Sequence, residues 1–196
     1  GASNTHGGLN DGYQGTRIRP IPQGAGAGQR AIHCISDSAK TVNYFTISTL
    51  GNGQDFGDLV TQRNNAGGMG SALRCLIQGG ASGSTDIQYT EFATLGNFAD
   101  FGDLTDGRAY TTGASSSTRG CSGGGDGYVD IIDYVTFASV GNATDFGDRT
   151  VSATCMGSCE STTRGVFGGG YNSGAGGNQN IIDYITVAST GNATDS

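Results

Sequence analysis

Four arginines, Arg30, Arg74, Arg119 and Arg164, stand 44, 45 and 45 residues apart, and each opens a near-copy of one sentence. After the arginine come a short apolar or Gly-Gly stretch, a polar loop and an alternating strand-like run, then Gly-Asn and Asp-Phe-Gly-Asp. The second halves read YFTISTLGNGQDFGD, QYTEFATLGNFADFGD, DYVTFASVGNATDFGD and DYITVASTGNATDS. Tyr44, Tyr89, Tyr134 and Tyr184 each precede Gly51, Gly96, Gly141 and Gly191 by seven residues. Asp55, Asp100, Asp145 and Asp195 follow those glycines by four. A period near 45 residues requires units that stack on one another, because one such unit cannot bury its apolar face alone.

The last copy is the easiest to read. Residues 153–160 and 164–171 are strand-like runs separated by Ser-Thr-Thr. Ile182, Tyr184 and Thr186 then alternate with Asp183, Ile185 and Val187, the period of two that belongs to a strand. Gly-Asn signals a turn, and the ATDFGDRT-type run after it predicts a fourth short strand. Four antiparallel strands in such a unit make one blade of a β-propeller. Residues 71–80 and 117–125 match the second strand, and residues 29–36 are its diverged first version. In the fourth copy the tyrosine follows the arginine by 20 positions where the third has 15, and the excess within YNSGAGGNQN is expected in a loop. The predicted fold is all-β, a four-bladed propeller over residues 29–196, with residues 1–28 as an N-terminal segment. The chain stops at TDS where other copies continue Phe-Gly-Asp. Part of residues 3–19 is therefore expected to supply the missing outer strand and close the ring, removing unpaired edges.

Composition agrees. Glycine contributes 37 of 196 residues and proline two, so the chain is neither collagen-like nor a proline-rich linker. Lys40 is the only lysine, and Thr, Ser, Ile, Val, Tyr and Phe fill the periodic stretches. A net charge of −7 without a basic cluster excludes the footprint of a nucleic-acid binder. No apolar run approaches the length of a membrane-spanning helix, so no membrane insertion is expected. Of five cysteines, Cys34, Cys75 and Cys121 lie in the apolar stretch of successive copies and read as small hydrophobes. Cys155 and Cys159 are too far apart along an extended strand to bridge unless the chain turns.

The double glycines Gly79-Gly80, Gly123-Gly124 and Gly168-Gly169, each followed by a tyrosine, resemble kelch repeats. The chain has no tryptophan, and Phe56, Phe101 and Phe146 are expected to anchor the blade where that family uses one. The motif Asp-Tyr…Gly-Asn-Ala-Thr-Asp resembles kelch-like repeats in virion proteins of tailed bacteriophages of the marine or cyanophage type. That resemblance spans about residues 29–196. It implies a structural protein of the particle surface, on a tail fibre or as capsid decoration, whose partners are other virion proteins and a host-surface glycan or protein.

Each catalytic-looking triplet recurs once per repeat, which argues for scaffold. Asp-Phe-Gly, from Asp55, Asp100 and Asp145, lacks the Gly-rich loop, strand lysine and His-Arg-Asp of a kinase. A turn role is expected, with aspartate bonding its own backbone. GAGAGQ at 24–29 precedes no helix and is a connection, not a dinucleotide loop. Repeated carboxylates such as Asp55 and Asp58 offer no set of six to eight converging oxygens for calcium. His6 and His33 are far apart, no nucleophile elbow is present, and symmetry-related carboxylates lack the unequal environments of acid–base catalysis. The chain therefore reads as a non-enzyme with neither cofactor nor metal. Arg74, Arg119 and Arg164 are expected to pair with Asp86, Asp133 or Asp183, within a blade or across to the next. Tyr89, Tyr134 and Tyr184 belong to the same structural repeat. Ligand contacts are expected in loops 110–118 and 171–180, from Tyr110, Ser115, Ser116, Tyr171, Asn172 and Asn178, the aromatic and small polar mix of adaptable surfaces. A secreted carbohydrate-binding module of cellular origin is the alternative function, and the repeat leaves room for a homo-oligomer.

Overall fold

A computed structural model of the chain describes residues 30–34, 40–49, 51–80 and 83–196. These residues are all-β, with no α-helix among them. Four antiparallel sheets follow one another along the chain. The first has β1 (Arg30–Cys34), β2 (Thr41–Thr46) and β3 (Gln54–Asp58). The second runs β4 (Gly67–Gly70), β5 (Arg74–Gln78), β6 (Asp86–Glu91) and β7 (Ala99–Asp103). The third repeats it as β8 (Thr112–Ser115), β9 (Arg119–Gly123), β10 (Ile131–Thr136) and β11 (Thr144–Asp148). The fourth begins with β12 (Gly157–Glu160) and β13 (Arg164–Gly168). A hairpin of β14 (Tyr171–Asn172) and β15 (Gly177–Asn178) intervenes before β16 (Ile182–Thr186) and β17 (Thr194–Asp195) complete the sheet. The extra residues of the fourth copy thus lie in that hairpin and leave the sheet intact. The last sheet does not lack its outer strand, as the sequence suggested: β17 pairs Thr194 with Tyr184 and Asp195 with Asp183. The strand expected from residues 3–19, and the whole 1–28 segment, fall outside the described residues. Among the described residues no sheet closes on itself.

Successive sheets stack face to face and share their cores. Ile32, Val42 and Phe56 of the first sheet pack on Leu59, Cys75, Ile77, Phe92 and Phe98 of the second repeat. Met69, Leu76, Ile87 and Phe101 meet Leu104, Val135 and Phe137 of the third. Ala114, Cys121, Ile132 and Phe146 meet Phe167, Ile185 and Val187 of the fourth. Phe56, Phe101 and Phe146 are core residues, each only 2% exposed. Cys75 and Cys121 fill these layers as small apolar groups, and burial pushes the Cys121 thiol up to about 12. All five cysteines are free, Cys155 and Cys159 exposed.

Asp-Phe-Gly is not a turn. Val42 pairs with Gly57 and Asn43 with Asp55, so the outer strand carries an extra residue, and β7 and β11 repeat this bulge against β6 and β10. The bulge turns phenylalanine inward and sets Gly57, Gly102 and Gly147 at φ of 144°, 144° and 139°. The next repeat lies against that glycine. A Cβ on Gly102 would come 2.5 Å from the backbone of Gly141. There the amides of Gly141 and Ala143 donate to the carbonyls of Phe101 and Asp103, both at 2.7 Å. Asn142 completes the latch by accepting from the Asp103 amide at 3.1 Å. The same bonds join Gly96, Asn97 and Phe98 to the first sheet, and Gly191, Asn192 and Ala193 to the third. Gly-Asn is therefore a turn that also covers the free edge of the preceding sheet.

Candidate functional site

The repeated arginines are clamps between sheets. Arg30, Arg74, Arg119 and Arg164 lie over the rings of Tyr44, Tyr89, Tyr134 and Tyr184 at 5.0, 5.0, 4.6 and 4.5 Å. Tyr44, Tyr89 and Tyr134 in turn stand edge-on to Phe56, Phe101 and Phe146. From that position Arg30 donates to Phe92 O at 2.7 Å, Arg74 to Phe137 O at 2.5 Å and Arg119 to Ala188 O at 3.0 Å, each in the following repeat. The expected pairing with Asp86, Asp133 and Asp183 does not occur, because those carboxylates have other partners. Arg63 pairs with Asp86, Arg108 with Asp133 at 2.8 Å and Arg149 with Asp183 at 3.1 Å. Arg74 instead has Glu91 at 3.9 Å, half-exposed.

The buried pairs hold the segment linking each sheet to the next. Asp133 also accepts from Thr105 Oγ1 at 2.5 Å, and Asp183 from the amide and hydroxyl of Thr150 at 3.0 and 2.9 Å. Gln88, at the equivalent place in the second sheet, accepts from Val60 N at 2.8 Å. The arginine itself moves between copies: Arg63 and Arg108 align with Ala153, while Arg149 stands where Leu59 and Leu104 do. Arg108 and Arg149 reach the equivalent carboxylates Asp133 and Asp183 from these two places, and Arg63 takes Asp86 because Gln88 stands at the carboxylate position, which hid the pairs from a fixed-period reading.

The residues expected to bind ligand do not form one site. Residues 110–118 are not a loop, since β8 occupies 112–115. Ser115 is buried on the innermost strand, where its hydroxyl accepts from Gly70 N at 3.2 Å and its amide donates to Glu160 Oε2 at 2.5 Å. Ser116 caps the turn at the far end of that strand, accepting from Arg119 N at 3.1 Å. The outer edges of the repeat explain the remaining structural residues: Asp55, Asp100 and Asp145 are exposed on the bulged strands. Only Asp145 bonds its own bulge, accepting from Gly147 N at 3.2 Å.

Tyr110, Tyr171, Asn172 and Asn178 share the opposite rim, where interlocked backbone bonds run from sheet to sheet. Gly80 N donates to Arg108 O, Asp126 N to Ala109 O and Gly125 N to Ala153 O, while Thr154 and Tyr171 exchange both bonds at 3.0 and 2.9 Å. Tyr110 holds a left-handed backbone at φ 55°, as do Asn65 and Cys155 at the same place in neighbouring copies. The inserted hairpin is rigidly built. Asn172 accepts from Gly174 N at 2.9 Å and donates to Ser152 O at 2.8 Å, and Gln179 Nε2 donates to Gly177 O at 2.8 Å. Tyr171, 43% exposed, stands 6.1 Å from Tyr128 at 56°. Tyr128 was missed by the sequence reading. Nothing in the sequence around it, Gly-Asp-Gly-Tyr, pairs it with Tyr171. On the same hairpin, opposite Tyr171, Asn178 is exposed. The arrangement presents the exposed Tyr171 ring, backed by half-buried Tyr128, with an amide and glycine-rich backbone, suited to a ligand with both apolar and hydroxyl-bearing surfaces.

Between β4, β8 and β12 lies an open cleft of about 300 Å³, lined by Gly68, Thr112, Gly113, Cys155, Met156, Gly157 and Ser158. Ser158 donates to Gly113 O at 2.7 Å and lies 2.8 Å from the Thr112 hydroxyl. Near it, burial raises the Glu160 carboxyl to about 7, against the opposing bond from Ser115. Among the described residues no group of three or more His, Cys, Asp or Glu converges to hold a metal. No helix of theirs is long and apolar enough to cross a membrane. Neither a family model nor a curated protein matches the sequence.

Proposed function

We propose that the four stacked sheets are blades of a kelch-like β-propeller, and that the protein is a non-enzymatic structural and binding component of a tailed-bacteriophage virion. On that reading it is displayed on a tail fibre or the capsid surface and serves host recognition. The blade reading draws support from the innermost strands β4, β8 and β12, which lie side by side. Equivalent residues of successive repeats touch there, as in the bonds from Gly70 to Ser115 and from Ser115 to Glu160.

The single observation that carries a binding role is the pairing of Tyr171, on the inserted hairpin, with Tyr128 of the β9–β10 connection in the neighbouring sheet. The hairpin is the clearest departure from the repeat, its Tyr171 is exposed, and its frame is bonded in advance, which lowers the ordering cost of binding. A host glycan or protein loop would seat on those rings, with Asn178 beside them. Purified particles of the phage that encodes the chain should contain it by mass spectrometry, and antibody against the hairpin should label them in electron micrographs. Tyr171→Ala should lower adsorption of the recombinant protein to host cells at least tenfold without changing its thermal midpoint. Absence from the particle would remove the virion reading, and undiminished adsorption by the variant would remove the hairpin from recognition.

A further inference from the structure

The stack has two unlike ends, and each displays one half of the joint that its interior uses three times. In every internal joint the forward face of one sheet meets the backward face of the next. The forward face presents Ile32, Leu76 and Cys121 from the second strand, and Val42, Ile87 and Ile132 from the third, all buried. Their counterparts in the fourth sheet, Val166 and Ile182, belong to no core, and Ile182 is 50% exposed. The backward face presents Phe92, Phe137 and Val187, each at most 3% exposed. The first sheet places Ile47 there, 59% exposed, with Phe45 beside it in the position of buried Val135 and Ile185. The clamp is also unfinished: Arg164 sits over Tyr184 as its three equivalents sit over theirs. The carbonyls it would meet correspond to Ile47 and Ser48 of a first sheet.

We infer that the forward face of the fourth sheet, Val166, Ile182 and Arg164, binds the backward face of the first sheet, Phe45 and Ile47, of a second copy of this chain. The occupant follows from continuity with the internal joints. The exposed apolar residues occupy the same repeat positions, the same arginine clamp is poised, and among the described residues neither face is covered. Gly51 and Asn52 of the incoming copy occupy the latch position held internally by Gly96 and Asn97. Such a joint is heterologous, using different surfaces on the two partners. It does not depend on a virion location, and it joins the fourth blade to the first across two chains in place of a ring closed within one chain.

The test is complementation in sedimentation analysis of the full chain. Wild type should sediment above monomer mass in a concentration-dependent way. Ile47→Asp spoils only the backward face and Ile182→Asp only the forward face, so each variant alone should be monomeric. Mixed in equal amounts they should form a dimer with one intact joint and grow no further. Both residues are exposed, so unchanged far-ultraviolet dichroism and thermal midpoints are expected, and they separate loss of association from loss of folding. A wild type that stays monomeric to high concentration overturns the inference. So does a mixture that stays monomeric while wild type associates. A monomer that associates only after deletion of residues 1–28 also overturns it, by assigning the cover to that segment.

Discussion

Replacing Gly102 by alanine strikes the contact on which the stacking depends. At φ 144° an L side chain is strained, by roughly 1–2 kcal/mol. Its Cβ would stand 2.5 Å from both the carbonyl carbon and the oxygen of Gly141, and backbone cannot swing aside as a flexible side chain can. Separating the two repeats there weakens the bonds from Gly141 N to Phe101 O and from Ala143 N to Asp103 O, each worth about 1 kcal/mol. Stiffening of the unfolded chain returns about 0.5–1 kcal/mol. The net loss is about 2–4 kcal/mol, which at a urea slope near 2 kcal/mol/M lowers the midpoint by about 1–2 M. Gly157→Ala is the control, since its nearest neighbour would be 3.9 Å away and its φ is ordinary. It should change stability by at most about 0.5 kcal/mol. A Gly102→Ala midpoint indistinguishable from that of Gly157→Ala would refute the reasoning.

Three further outcomes follow from the geometry. Asp183→Ala leaves Arg149 buried without its carboxylate and should cost about 3–5 kcal/mol in urea unfolding. Adding Arg149→Leu, the residue type at Leu59 and Leu104, should recover much of that loss; strict additivity of the two would contradict a coupled pair. Cys155→Gly relieves a left-handed backbone at an exposed side chain and should raise stability by about 1 kcal/mol, seen as a higher thermal midpoint. Glu160 has its folded pKa raised from 4.5 to about 7 by burial. Its stabilising contribution is full below the unfolded value and lost as pH rises through the folded one. The full shift corresponds to roughly 3 kcal/mol, and partial exposure reduces this to about 1–2 kcal/mol. Urea midpoints should therefore fall between about pH 5 and pH 8 in the wild type and fall less in Glu160→Gln; equal slopes would contradict the assignment.

The strands were legible because alternation around Tyr184 marks β16 locally, and the arginine that recurs at the head of each copy marks β13. What the sequence concealed is what happens between repeats. Asp-Phe-Gly looks like a turn because glycine and aspartate favour turns. Here the glycine answers to backbone of the next copy, a partner 39 residues further on in the case of Gly57 and Gly96. The clamps were hidden for a similar reason. Arginine and aspartate recur in step, yet Arg119 bonds carbonyls of the next sheet, and carbonyls have no signature in sequence. Ser115 and Ser116 have loop-like composition, but small residues are what the inner strand needs for close approach. At Gly113 a Cβ would meet Gly68 O at 2.2 Å. The inserted hairpin was visible as a break in the period, and Tyr171 with it, whereas Tyr128 required the neighbouring sheet to bring it near.

Amide hydrogen exchange on dilute, monomeric protein tests the stacking most directly, because the repeat supplies its own control. The amides of Gly96, Gly141 and Gly191 donate to the edge of a preceding sheet, and should exchange slowly together with those of Phe98, Ala143 and Ala193. Gly51 and Gly53 occupy the same positions in the first repeat, with no described sheet before them, and should exchange at rates near those of an open chain. Equally fast exchange at Gly51 and Gly141 would contradict the latch, and with it the account of how these repeats build one structure.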